Sequence, residues 1–263
     1  MLLLGGFILL SGCQRPKGGV TVAGSTSVQP FAEILAEEYM ENHREEKVFI
    51  QGGGSSAGIQ AVRTGAAQVG MSSRNLTPQE QSLFFSPIAY DAIAVIVHRS
   101  NPIQDLTVEQ IRNVFAGRIK RWDEMGGRNH AITLVSREEG SGTREAFQHL
   151  LMEKTEISLA ALVQDSNGAI RQVVADDPNA IGYISLGLVN EKVKAVEIDG
   201  VKATIENIRL RNYKLVRPFL FVFKSSPENT AKRFLDFVLS DKGQKLLTEE
   251  GLVGIASISE SKG

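Results

Sequence analysis

The segment Ser136-Arg137-Glu138-Glu139-Gly140-Ser141-Gly142-Thr143-Arg144 holds the densest set of groups able to do chemistry. Arg137 offers a planar fork that suits two oxygens of a tetrahedral anion. Ser141, Gly142 and Thr143 supply amide and hydroxyl donors where a helix is expected to begin, and Glu139, two residues past Arg137, is placed to hold the guanidinium. Two further turns, Gly24-Ser25-Thr26-Ser27 and Gly52-Gly53-Gly54-Ser55-Ser56, have the same make-up. Each follows an apolar run and precedes residues at helical spacing. The first amides of a helix lack intrahelical partners and carry the positive end of its dipole. Glycine lets a ligand approach the backbone, and Ser or Thr adds a hydroxyl. Three such turns make a cradle for an anion without net charge. One Ser or Thr before a helix is often only a cap, so the argument rests on the set. The second turn lacks the Gly-Lys-Ser/Thr of a P-loop, which disfavours nucleotide phosphates. Ser73 and Arg74, in Met71-Ser72-Ser73-Arg74, are possible additional contacts; Arg74 reads equally well as a surface or inter-lobe arginine.

The elements that position these turns follow from alternating short apolar runs and amphipathic stretches, the pattern of an α/β chain. Residues 20–23, 48–50, 92–97, 131–136, 181–185, 193–198 and 218–223 read as strands. Val28, Phe31, Ala32, Leu35 and Tyr39 recur at helical spacing. Helices are also expected from 57 to 63, from the capped Thr77-Pro78-Gln79-Glu80, over 107–115, from 144 to about 152, and over 230–239 and 243–250. The run 92–97 is apolar throughout, as in a strand buried on both faces. In open α/β sheets, turns at the carboxyl ends of strands are where ligands bind.

At 263 residues, 42% hydrophobic and 22% charged, the chain suits a globular protein of one large domain or two lobes. A net charge of -1 gives no global basic field for nucleic acid or anionic lipid. The first twelve residues, MLLLGGFILLSG, precede the only cysteine, Cys13. Their apolar run is too short to span a bilayer and has the length of a signal-peptide core. Leu10-Ser11-Gly12-Cys13 resembles a bacterial lipobox, which implies cleavage before Cys13 and lipid on its thiol. Residues 1–12 are therefore expected to be a signal peptide and 13–19 a lipidated tether. None of His43, His98, His130 and His149 sits in a metal-ligand spacing such as His-Glu-x-x-His, so an enzyme is not expected, nor a cofactor or metal.

In order along the chain, Gly-Ser-Thr-Ser, Gly-Gly-Gly-Ser-Ser-Ala-Gly and Arg-Glu-Glu-Gly-Ser-Gly-Thr-Arg closely resemble the phosphate-binding proteins of bacterial phosphate ABC transporters. Val114 to Trp122, Asp165-Ser166-Asn167-Gly168-Ala169-Ile170, Ala180 to Tyr183 and Phe237 to Ser240 extend the resemblance over nearly all of the mature chain. It implies a periplasmic-binding-protein fold: two α/β lobes, two crossover strands as hinge, near 92–98 and 216–223, and a ligand cleft between the lobes. The expected lobes are 20–95 with 218–256, and 96–217. The resemblance implies that Thr26 (side chain and amide), the Ser27 amide and Ser55 bind from the first lobe. Arg137, Ser141, Gly142 and Thr143 bind from the second, with Glu139 orienting Arg137. Some family members carry an aspartate where this chain has Ser73; there it accepts the proton of hydrogen phosphate and excludes sulfate. Ser73, a backbone carbonyl or Asp91 is left to accept that proton here. The expected partners are inorganic phosphate, the ABC permease subunits with their ATPase, and the membrane through Cys13, the protein itself being a monomer outside the cytoplasm. Two other functions fit the same turns: capture of sulfate, molybdate or tungstate, and phosphate sensing at the cell surface.

Overall fold

The computed structural model describes residues 19–259; the expected signal peptide and Cys13 lie outside them. In chain order the first elements are β1 (Gly19–Gly24), α1 (Gln29–Asn42), β2 (Lys47–Gly52), α2 (Ser55–Thr64), β3 (Val69–Ser72) and β4 (Phe84–His98). Then come β5 (Asp105–Leu106), α3 (Val108–Phe115), β6 (Thr133–Arg137), α4 (Gly142–Phe147), β7 (Leu162–Gln164) and α5 (Asn167–Asp176). They are followed by β8 (Ala180–Ser185), β9 (Val193–Ala195), β10 (Glu197–Ile198), α6 (Ile205–Arg209) and β11 (Val216–Phe223). Three helices close the described chain: α7 (Asn229–Leu239), α8 (Asp241–Glu249) and α9 (Ala256–Ser259).

The main sheet runs β2-β1-β3-β11-β4-β8-β6-β7, with β9 against β4. β1, β2 and β3 are parallel, as strand–helix–strand units joining neighbours in one sheet require. β11 returns antiparallel between β3 and β4. The long β4 joins two halves of the molecule. Up to Ala92 it pairs with β11, and from Ile93 onward it pairs with β8. The chain thus crosses between halves at Ala92–Ile93 and comes back where Leu215 accepts from the Ile93 amide and Val216 sits opposite Ala92.

Each half buries its own apolar set. In the first, Phe31, Leu35 and Tyr39 of α1 pack on Val20, Val22, Phe219, Phe221 and Phe234. The burial of Val28, Phe31, Ala32, Leu35 and Tyr39 is what their spacing predicts. In the second, Phe115, Trp122, Phe147 and Tyr183 cover one face of the sheet, and Val135, Ile170, Val174 and Ile184 the other. Residues 92–97 are fully buried, as their unbroken apolar run predicts.

Three local expectations are corrected. The helix expected from Thr77 is a single 3-10 turn, Pro78–Glu80. Its capping box forms, but the Glu80 carboxylate is taken by Arg74 and the chain turns into β4 at Phe84. The helix expected from 144 to 152 starts at Gly142 and ends in a π turn, Gln148–Met152. The strand expected over 193–198 is broken into β9 and β10, which pair with different partners.

Candidate functional site

The three Gly/Ser turns converge. The β1–α1 turn needs glycine at its start: Gly24 has φ +139°, and a Cβ there would lie 2.4 Å from the Met71 carbonyl oxygen. This lets the chain turn sharply and present Thr26 and Ser27 toward the other half. Ser27 Oγ lies 2.7 Å from Thr143 Oγ1, and Asn167 Nδ2 donates to the same Ser27 Oγ at 2.7 Å. At the start of α2, the Ser56 amide donates to the Gly140 carbonyl at 3.1 Å. Ser55 Oγ accepts from the Ser73 amide at 3.1 Å. It also faces Gly142 so closely that a Cβ on that glycine would lie 2.2 Å from it. The amino-terminal turns of α1, α2, α4 and α5 therefore meet at one place, where the two halves touch.

Arg137 sits at the end of β6 with 1% of its surface exposed. Its backbone is fixed by Tyr183, whose hydroxyl accepts from the Arg137 amide at 3.3 Å, and by Arg144, whose Nη1 donates to the Arg137 carbonyl at 3.0 Å. The Tyr183 ring stacks on Phe147 at 4.0 Å, which ties this support into the core. The side chain is held by Glu138: Nε donates to Oε2 at 2.8 Å and Nη2 to Oε1 at 2.9 Å. Nη2 also donates to Thr26 Oγ1 and to the Asp165 carbonyl, both at 3.0 Å. Nη1 is buried and has no hydrogen-bond partner among the described residues. A buried guanidinium nitrogen left so is costly unless a ligand oxygen completes it.

The site differs from the sequence reading in several contacts. Glu139 does not orient Arg137; it is exposed, and Glu138 does that work because the loop turns between them. The Ser27 amide donates to Ser25 Oγ at 3.2 Å, so Ser27 contributes its hydroxyl, which links the two halves. Ser141 caps α4, its Oγ accepting from the Arg144 amide at 3.3 Å, and its own proton remains to be donated. Ser73 lies at the cluster, its Oγ 3.4 Å from Ser55 Oγ. Arg74 is committed elsewhere, to the carboxylates of Glu80 and Glu145. It is an inter-lobe arginine, not a ligand contact. Burial pushes the Glu80 carboxyl up, but hydrogen bonds from Arg74 and Thr77 outweigh this and hold it at about 2.

Two groups behind the cluster were not read from the sequence in this role. Asn167 is 1% exposed; besides Ser27 it engages the Ser185 amide through Oδ1 at 3.1 Å. Its signal was Ser166-Asn167-Gly168, a helix start of the same kind as the other turns. Asp91 is fully enclosed: Arg217 Nε and Nη2 donate to Oδ2 at 3.0 and 2.9 Å, and Ser185 Oγ donates to Oδ1 at 2.8 Å. Both of its oxygens are engaged by these partners, and the carboxylate has no exposed surface. Arg217 Nη1 also donates to the Ser73 carbonyl at 3.2 Å, which engages that oxygen too.

Gly54-Ser55-Ser56-Ala57-Gly58 has the Gly-x-Ser-x-Gly spacing of a hydrolase nucleophile turn, yet Ser56 Oγ meets Glu145 and Arg74 rather than a histidine base. Among the described residues no group of His, Cys, Asp or Glu is placed to hold a metal ion. A cavity of about 490 Å³ lies beside the crossover strands, lined by Tyr90, Tyr213 and the basic residues Arg209, Arg211, Lys214 and Arg217 among others; none of Thr26, Ser27, Ser55, Ser141 or Thr143 lines it.

Comparison with known proteins agrees with this geometry. Residues 12–242 match the PBP superfamily domain. The phosphate-binding protein PstS of Bacillus subtilis is 30% identical over 257 residues, covering 95% of this chain and 85% of that protein. A Clostridium perfringens protein described as a phosphate ABC transporter substrate-binding protein, solved with bound phosphate, superposes with a TM-score of 0.88. It is 42% identical over 90% of this chain and all of that one. An ABC-type phosphate transport receptor of Vibrio cholerae gives a TM-score of 0.75 at 36% identity, over 89% of this chain and 99% of that one. With its two-lobed α/β fold and its match over most of its length, this chain belongs to the PstS phosphate-binding protein family of the PBP superfamily.

Proposed function

We propose that this protein captures inorganic phosphate between its lobes, outside the cytoplasm, and delivers it as a monomer to the permease subunits and ATPase of an ABC importer. The observation that carries the reading is Arg137 Nη1, buried without a partner among the described residues where four helix starts meet. Thr26, Ser27, Ser55, Ser73, Ser141, Gly142 and Thr143 surround the anion in this reading, and Glu138 fixes Arg137 from behind. The lobes are residues 19–92 with 216–259 and residues 93–215, the division following strand pairing and core membership. Relatives whose names state phosphate binding and transport support the ligand and the importer. The lipobox-like Leu10-Ser11-Gly12-Cys13 supports anchoring through Cys13. Among the described residues no helix is long and apolar enough to cross a membrane.

Calorimetric titration of delipidated protein with phosphate, sulfate, molybdate and arsenate tests the reading. Phosphate should bind at one site with a dissociation constant of about 1 μM or lower, about 8 kcal/mol or more. The absence of any phosphate binding would sink the reading. Equal binding of sulfate would leave an oxyanion-binding protein without phosphate selectivity. Intact-mass analysis of the processed protein checks the lipid: an unmodified Cys13 contradicts the anchor.

A further inference from the structure

Arg74 follows β3 by two residues and has 6% of its surface exposed. An arginine that deep must have its charge and donors matched. Part of the match lies within its own lobe: Nη1 donates to Glu80 Oε2 at 2.7 Å and Nη2 to Glu80 Oε1 at 3.0 Å. Its charge is also countered across the cleft by an ion pair, although Nε makes no well-directed hydrogen bond there. Arg74 Nε lies 2.5 Å from Oε2 of Glu145, which α4 carries in the opposite lobe. Ser56 bridges the two, accepting from Arg74 Nη2 at 3.3 Å and donating to Glu145 Oε1 at 3.2 Å.

These contacts differ in what lobe motion does to them. The Arg74–Glu80 bonds join groups of one lobe and are the same whether the lobes stand apart or together. They keep the guanidinium aimed in either state. The contacts of Glu145 with Arg74 and Ser56 exist only when the lobes meet. An attraction made in one of two states shifts the population toward that state, whether or not it touches the ligand. Arg74 pairs with Glu145 and bonds to Glu80 and Ser56, and Ser56 bonds to Glu145, whereas Arg137 is engaged by Thr26, Glu138 and Asp165. The two charge clusters across the cleft are thus built from different residues.

We propose that the Arg74–Glu145 pair, bridged by Ser56, is a closing latch that favours the closed form independently of the anion and thereby sets how long the anion is held. The latch rests on the proposed capture of phosphate between the lobes, and adds that the lobes part and meet. Because apparent affinity scales with the population of the competent state, loss of the latch weakens binding with every anion contact intact. Glu145→Gln removes the charge while Glu80 still matches Arg74, so the buried arginine is not orphaned. Glu145→Lys, which faces Arg74 with a like charge, covers the case in which glutamine keeps a neutral hydrogen bond.

The test has two arms. In stopped-flow phosphate binding, Glu145→Gln should raise the dissociation rate by roughly twofold to fivefold and Glu145→Lys more, with the association rate little changed. The anion enters the open form, in which the pair is already apart. In small-angle scattering without phosphate, both variants should show a larger radius of gyration than the parent protein, with melting temperatures close to its own. Dissociation rates and radii unchanged in both variants would overturn the latch. If the parent protein takes up no phosphate, the proposed function falls, while the anion-free scattering comparison still decides whether the pair holds the lobes together.

Discussion

Arg137 brings together what a fixed cationic contact requires: a buried guanidinium, a carboxylate bonded to it, and one nitrogen without a hydrogen-bond partner among the described residues. Its support is layered. Glu138 holds the fork in plane, Asp165 supplies a carbonyl, and Tyr183 and Arg144 fix the backbone. Replacing Arg137 with Ala removes charge-assisted hydrogen bonds worth ~1.5–3 kcal/mol each. Phosphate affinity should fall by roughly tenfold to several hundredfold in calorimetry. Arg137→Lys should restore only part of it, since an ammonium cannot present the planar fork. The neighbouring glutamates give an internal contrast. Glu138→Ala should weaken binding because the fork loses its brace, whereas Glu139→Ala, on an exposed side chain, should leave binding unchanged. An equal loss from both would refute the assignment of the brace.

At the scale of elements, the strand–turn–helix units were legible because their signals are local. Gly24 and Gly54 sit at positive φ, Ser141 and Ser166 cap the helices that follow, and the apolar spacing of α1 matches its buried face. What the sequence could not show was which of two adjacent glutamates would face Arg137, since that depends on how the loop turns at Gly140, which has φ +81°. Nor could it show that Thr77 would cap only one 3-10 turn, because the competing demand comes from Arg74, six residues from Glu80 in sequence but bonded to it in space. Asn167 escaped for a similar reason: its partners, Ser27 and Ser185, are 140 and 18 residues away. Long-range polar pairing leaves little local trace. The close approach of α4 to α2 makes a testable case of one such pairing. A Cβ on Gly142 would lie 2.2 Å from Ser55 Oγ, 2.7 Å from Ser73 Oγ and 2.9 Å from Ser55 Cβ. Overpacking of this kind costs about 1–3 kcal/mol. Because the clash is between lobes, Gly142→Ala should spend that cost on closure rather than on folding. Phosphate affinity should drop roughly fivefold to over a hundredfold while the melting temperature stays near that of the parent protein. A normal affinity would mean that the lobes close with more clearance than the structure shows.

For the whole molecule, the decisive question is what holds the two lobes together where the chain crosses between them. β4 crosses between the lobes and the chain returns at the start of β11, and the Asp91–Arg217 pair joins the two strands beside the crossing, with side chains 0% and 1% exposed. Burial pushes the Asp91 carboxyl up and the Arg217 guanidinium down, so the charged pair depends on its own attraction and on hydrogen bonds from Ser185 and to the Ser73 carbonyl. These bonds run from the pivot into both lobes, since Ser185 ends β8 and Ser73 follows β3. A pair of hydrophobic residues could fill the same space at similar stability. It could not hold Ser73 and Ser185 in place, and through Ser185 the amide that fixes Asn167 behind Ser27. Asp91→Asn keeps the shape but leaves Arg217 buried without its countercharge. Breaking one partner of such a pair costs about 3–5 kcal/mol, which urea denaturation should register as a lower midpoint with little change in slope. Joint replacement of Asp91 by Leu and Arg217 by Met should recover most of that stability and yet bind phosphate more weakly than the parent protein. Recovery of both stability and affinity in the double variant would mean that the pair fills space at the pivot and does not position the site.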